Sequence, residues 1–165
     1  MGHDAVEIDF VMPWVDGSDP AWREEFLKYR ALQAPQGEPA CDTGTAAGAV
    51  DASEERYRDW DTLRYWFRGV ERFAPWVNRI HFITWGHLPA WLDTAHPKLH
   101  VVRHADYIPS PYLPTFNSCP IELNMHRIEG LAEHFVYFND DTFLCRPVGP
   151  ERFFLNGLPR DAARL

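Results

Sequence analysis

No stretch of this 165-residue chain stays apolar long enough to cross a membrane, which takes about 18 residues or more. Residues Met1 to Asp9 show no charged-then-apolar leader pattern, so the chain is expected to be neither anchored nor exported. Peripheral association with a membrane is compatible with that. Cysteine is scarce: Cys41, Cys119 and Cys145 are odd in number and lack metal-like spacing, which argues against a disulfide framework or a zinc site. A reducing, cytoplasmic setting is the expectation. Positive charge is also in short supply. Sixteen Lys and Arg face 24 Asp and Glu, for a net charge of −8 and a pI near 5.4. A nucleic-acid or anionic surface is therefore not the expected partner. Phosphate groups would have to be met locally, by a metal or a few placed arginines.

What is present is a core. Apolar residues make up 45% of the chain and aromatics 15%, enough for one domain. Short apolar runs alternate with amphipathic stretches, which predicts a three-layer α/β fold around a mostly parallel sheet. Its strands are expected at Ile8–Val15, Ile80–Thr84, Leu99–Val102 and Phe135–Phe138. After the first strand, Asp19-Pro20 signals a helix start, and Trp22, Phe26 and Tyr29 give that helix an apolar face. Either Asp59 or Asp61 is placed to cap a second helix, whose core face carries Leu63, Trp66, Phe67, Val70 and Phe73. The proline-rich run Tyr107 to Pro114 predicts an extended connection. A further helix is expected between Pro120 and Gly130, with Ile121, Met125 and Ile128 buried and Glu122, His126 and Glu129 together on a neighbouring face. His81, His100 and His104 are scattered rather than set at ligand spacing and read as structural or surface residues. Between Ala34 and Ser53 the chain turns to small and polar residues, as expected of a mobile loop that closes over substrate.

The chemistry is expected where strands end. Tyr137-Phe138 runs into Asn139-Asp140-Asp141, and in open α/β sheets ligands bind beyond the carboxyl ends of strands. Two adjacent carboxylates suit a hard cation such as Mg²⁺ that also holds phosphate oxygens. The plainer alternative is a turn made of turn-forming residues. Asp16 follows the first strand in the same way, and Gly17 lets the backbone turn tightly or approach a ligand. Arg64 and Arg68, one helical turn apart, are either phosphate contacts or solvated surface arginines.

Longer motifs point further. Asp9-Phe10-Val11-Met12-Pro13-Trp14-Val15-Asp16-Gly17-Ser18-Asp19 resembles the first signature region of the Stealth proteins. Their second region is resembled by Arg58-Asp59-Trp60-Asp61, Leu63-Arg64-Tyr65, Glu71-Arg72-Phe73-Ala74-Pro75-Trp76-Val77, Leu113-Pro114-Thr115-Phe116-Asn117-Ser118, His126-Arg127-Ile128 and Tyr137-Phe138-Asn139-Asp140-Asp141, in that order. The resemblance implies a Rossmann-like nucleotide-sugar transferase fold, of which residues 1–165 hold the N-terminal part of one catalytic domain. It implies transfer of a hexose-1-phosphate from a nucleotide sugar to a saccharide hydroxyl, in capsular or exopolysaccharide synthesis, with Mg²⁺ or Mn²⁺. By motif, Asp16, Asp140 and Asp141 become catalytic, the last two also metal ligands. Trp14, Gly17, Arg64, Asn117, Ser118, Glu122 and Arg127 become substrate contacts, and His126 the local candidate for general base. Thr84-Trp85-Gly86-His87 departs from the family's usual Thr, acid or amide, Gly, Gln. The family's third and fourth regions have no counterpart in these residues. A metal-dependent glycosyltransferase and a non-catalytic donor-binding fragment are the rival expectations.

Overall fold

The computed structural model describes residues 6–33 and 57–160; the expected loop at 34–53 lies outside them. Chain contacts divide the molecule into two compact units, Met1–Trp14 with Trp60–Leu165, and Val15–Asp59.

The first unit is built on a four-stranded sheet in the order β3-β2-β1-β4. Its strands are β1 (Ile8–Pro13), β2 (Ile80–Thr84), β3 (Leu99–Arg103) and β4 (His134–Tyr137). Every pairing is parallel, with Phe10 opposite Ile80 and Val136, and Phe82 opposite Val101. Alternation along β1 separates two cores. Phe10 and Met12 point to one face, where Leu63, Trp66 and Val70 of α2 (Leu63–Phe73) cover them together with Phe82 and Phe138. Val11 points to the other, with Ile83, Val102, Tyr107, Ile108, Met125 and Ile128. The sheet thus lies between two covering layers, and both faces of its strands read as apolar, as fully covered parallel strands must.

The covering segments correct three sequence expectations. α2 is capped by neither aspartate: Thr62 is its N-cap and makes no side-chain cap bond. Asp61 sits at φ 53 and turns its carboxylate onto Arg64, Oδ1 to Nη2 2.9 Å. The connection after β3 is not simply extended; it holds α3 (His104–Tyr107) and a 3₁₀ turn at Ser110–Tyr112. The helix expected from Pro120 to Gly130 begins earlier and breaks early. α4 spans Ser118–Leu123, capped by Asn117, whose Oδ1 accepts from Cys119 N at 2.9 Å. A separate 3₁₀ turn, Met125–Arg127, follows. At the break, the Asn124 side-chain amide donates to Pro120 O at 2.8 Å, so a side chain occupies that carbonyl. Glu122, His126 and Glu129 therefore share no continuous helical face, although Met125 and Ile128 are buried as expected. A short hairpin, β5 (Phe154–Leu155) and β6 (Leu158–Pro159), comes last among the described residues.

In the second unit, Asp19 caps α1 (Pro20–Gln33) as the sequence implies, its Oδ1 accepting from Trp22 N at 2.8 Å. Trp22 stacks on Phe26, and both rings meet Tyr57 at 4.9 and 5.2 Å.

Candidate active site at the strand ends

β1 and β4 are parallel neighbours, so they finish at the same edge of the sheet. Phe138 N donates to Val11 O and Trp14 N donates to Ile83 O, each at 2.9 Å, which carries both chains to the rim still pinned to the sheet. Phe138 is buried, and the next residues, Asn139, Asp140 and Asp141, emerge into solvent. Thr142 N closes the turn onto Asn139 O at 3.0 Å, and Thr142 Oγ1 donates to Asp141 Oδ1 at 3.3 Å.

A third carboxylate belongs to this edge. Glu122 on α4 accepts a hydrogen bond from the Tyr137 hydroxyl, Oη to Oε1 3.2 Å. Burial, then the charge of Glu122 and its bond, then the charges of Asp140 and Asp141 all push the Tyr137 phenol above its ordinary value. Tyr137 therefore stays a neutral donor in a negative field. Glu122 and the Asp pair both act on Tyr137; Tyr137 was missed because it reads as one more strand aromatic. Its one sequence signal is its place just before the turn; the bond to Glu122 depends on where α4 arrives.

The other sequence candidates fall as follows. Asn117 spends its side-chain oxygen on the α4 cap, and Ser118 is exposed at the first turn. His126 and Arg127 lie exposed on the 3₁₀ turn, beyond the helix break. Trp14 is a core residue, 7% exposed, with Phe82 and His87 ring centroids 5.7 and 5.1 Å away. Arg64 pairs with Asp61 and lies over Trp91 along the flank of α2. Among the described residues, no group of three or more His, Cys, Asp and Glu side chains is placed to cage a metal.

In the Val15–Asp59 unit, Asp16 Oδ1 accepts from both Ser18 N at 2.8 Å and Ser18 Oγ at 2.6 Å, which fixes the turn after β1. Gly17 is required by a close backbone approach. Its N donates to Tyr57 O at 2.7 Å, and a Cβ there would stand 2.6 Å from that same oxygen. A cavity of about 470 Å³ opens beside Asp16 and Gly17, lined also by Arg23, Tyr57, Arg58 and Asp59. Its size is that of a small-molecule site.

His81 and His104 show what the histidines do. His81 Nε2 lies 2.9 Å from Asp9 Oδ2, both side chains fully buried, and His81 Nδ1 lies 3.0 Å from His100 Nδ1. Asp9 also accepts from Asn78 Nδ2 at 2.9 Å and Ala132 N at 2.8 Å. Burial lowers the His81 pKa against the pull of Asp9. Burial, with the charge of His87, takes His104 down to about 4. The expectation that these two are structural holds.

Residues 56–161 match the family model for Stealth protein CR2, conserved region 2, and residues 6–32 match that for Stealth protein CR1, conserved region 1. The chain is 54% identical over 153 residues to the capsular polysaccharide phosphotransferase WcwK of Streptococcus pneumoniae, covering 93% of this chain and 43% of that protein. It is 47% identical over 161 residues to the receptor polysaccharide phosphotransferase WefC of Streptococcus oralis, again 93% of this chain and 43% of the relative. With the capsular polysaccharide phosphotransferase eps5J of Streptococcus thermophilus the identity is 47% over 156 residues, 60% of that protein. The chain thus spans less than two thirds of the length of these relatives. Two ordered region matches and this identity across nearly the whole chain show that it belongs to the Stealth family.

Proposed function

We propose that this chain binds the nucleotide-sugar donor of a sugar-phosphate transferase, which moves a hexose-1-phosphate to a saccharide hydroxyl in cytoplasmic synthesis of a capsular or exopolysaccharide. The supporting observation is the group of three carboxylates, Glu122, Asp140 and Asp141, around the neutral phenol of Tyr137 at the carboxyl edge of a parallel sheet. The adjacent carboxylates of Asp140 and Asp141 at a ligand-binding edge, with Glu122 on the nearby Tyr137 phenol, would repel a diphosphate unless a cation stood between them. Asp140 and Asp141 suit Mg²⁺ or Mn²⁺ bound in the manner of phosphoryl-transfer sites, by one or two carboxylates that leave positions for water and phosphate.

Phosphoryl transfer is chiefly positioning and charge neutralisation. A bound cation would supply Lewis-acid stabilisation to the departing nucleotide phosphate. The chain's own part is to orient. The backbone bonds of Phe138 and Trp14 fix the rim, and Tyr137 holds Glu122 against it. Asp16 and Gly17 are proposed as donor contacts in the cavity beside them. His126, exposed on the 3₁₀ turn after α4, is proposed to take the acceptor hydroxyl's proton.

The test is incubation of the full chain with Mg²⁺, a nucleotide sugar and a saccharide acceptor, with the released nucleotide identified. Nucleoside monophosphate supports the proposal, and His126→Gln should abolish its release while sparing nucleotide-sugar affinity. Nucleoside diphosphate would overturn it in favour of glycosyl transfer. Saturable, Mg²⁺-dependent donor binding without release supports a donor-binding role alone.

A further inference from the structure

A second concavity lies away from the strand-end carboxylates. It is a groove of about 510 Å³ along the flank of α2, between that helix and the segment linking β2 to β3. Val70, Ile80 and Leu99 form its floor, and Trp91 stands on its wall with 41% of its surface exposed. Ile80 and Leu99 open their strands, whereas Asp140 and Asp141 follow the end of a parallel strand. The floor of the groove therefore lies at the opposite end of the sheet from the Asp pair.

The indole is held rather than loose. Phe67 meets it edge-on at 6.1 Å, and the Arg64 guanidinium lies 5.7 Å from its ring centre. Asp61 in turn holds Arg64. The charges around the groove balance: Arg64, Arg68 and Lys98 against Glu71, Asp93 and neighbouring Asp61. Lys98 is committed, its ammonium donating to the carbonyls of Pro75 at 2.8 Å and Val77 at 2.7 Å. A balanced rim gives no field to draw in an anion such as a nucleotide. A polyisoprenoid would suit the floor, but it would desolvate Arg68, Glu71 and Asp93 without offering a partner. A neutral sugar ring meets both demands. Its C–H face stacks on the indole and the apolar floor, while its hydroxyls donate to Glu71 and Asp93 and accept from Arg68.

We propose that this groove is a holding site for a neutral saccharide chain, its floor at the end of the sheet opposite the Asp pair. It goes beyond the donor-site reading and takes from it only the expectation that a saccharide polymer is present. Such a site would tether a long saccharide and favour it over a short one, because a second point of attachment raises effective concentration.

The test uses the full chain labelled with ¹⁵N and a series of neutral glucose-, galactose- and N-acetylhexosamine-containing oligosaccharides, from mono- to tetrasaccharide. Saturable shifts of the Leu92 and Leu99 amide resonances are expected, with affinity rising along the series. Trp91→Ala should weaken binding at least tenfold and Trp91→Phe should retain most of it, both with unchanged unfolding midpoints. No saturable shift with any member, or shifts that persist undiminished in Trp91→Ala, would overturn the proposal. So would shifts produced by farnesol but by none of the saccharides. A nucleotide sugar titrated into Trp91→Ala should bind as in the parent. In the unsubstituted chain, absence of saccharide binding with donor binding intact counts against the groove alone, and absence of donor binding with saccharide binding intact counts against the donor reading alone.

Discussion

The two ends of the sheet both carry acidic groups and treat them in opposite ways. Near the start of β1, Asp9 is fully buried and accepts from Asn78, Ala132 and His81. Beyond the end of β4, Asp140 and Asp141 are exposed, and Glu122 bonds the phenol of Tyr137. The buried carboxylate is saturated by the protein's own donors and belongs to the fold. The exposed ones face solvent. Burial sets the two groups apart, and substitutions at the two ends should separate cleanly.

The largest effect is expected at the buried end. Asp9→Asn puts an amide NH₂ among three donors, and each buried donor left without an acceptor costs about 1–3 kcal/mol. Urea unfolding of the full chain should show that loss. A change below about 1 kcal/mol would mean that Asp9 is not the anchor the geometry indicates.

Acid should expose the same asymmetry next. His104 has a folded pKa of about 4 against 6.5 for the free group, so the unfolded chain takes up the proton first. Stability is then complete above about pH 6.5 and falls as the pH drops towards about 4, with His81, also lowered by burial, adding in the same direction. For His104 the loss reaches about 3 kcal/mol, at about 1.4 kcal/mol per pKa unit. His104→Gln should flatten the slope of unfolding free energy against pH. An unchanged slope would place the acid sensitivity elsewhere.

Smaller again is Gly17→Ala. The added methyl meets the Tyr57 backbone, which cannot yield as a flexible side chain would. Overpacking of this kind costs about 1–3 kcal/mol, and it should appear as faster amide exchange in α1. Unchanged exchange would show that the turn relaxes freely.

Much of this organisation was legible in the sequence. The strands were found to within about two residues because buried parallel strands are short apolar runs with turn residues after them. The α1 start followed from Asp19-Pro20, and the exposed turn beyond β4 from the Asn and Asp residues after Phe138. Other features depended on partners distant in the chain. Asp9 and His81 stand 72 positions apart, so their pairing could not be read from spacing. The Glu122–Tyr137 bond was hidden because Tyr137 looks like a core strand residue. α4 was overextended because Pro120 and Gly130 resemble helix ends, whereas Asn117 supplies the cap and Asn124 takes the carbonyl at the break. Thr62 rather than an aspartate heads α2 because Arg64 draws Asp61 away.

The most direct test of the central claim is donor affinity in Asp140→Asn and Asp141→Asn, measured calorimetrically with a nucleotide sugar, with and without Mg²⁺, beside thermal unfolding. Asn keeps the size and turn preference of Asp but removes the charge a hard cation needs. Both residues are exposed, so unfolding free energies should stay within about 0.5 kcal/mol of the parent. The account predicts that Mg²⁺ strengthens donor binding in the parent and that either substitution removes most of that gain, about tenfold or more in affinity. Mg²⁺-dependent affinity unchanged in both variants would show that the pair only turns the chain, and would contradict the account.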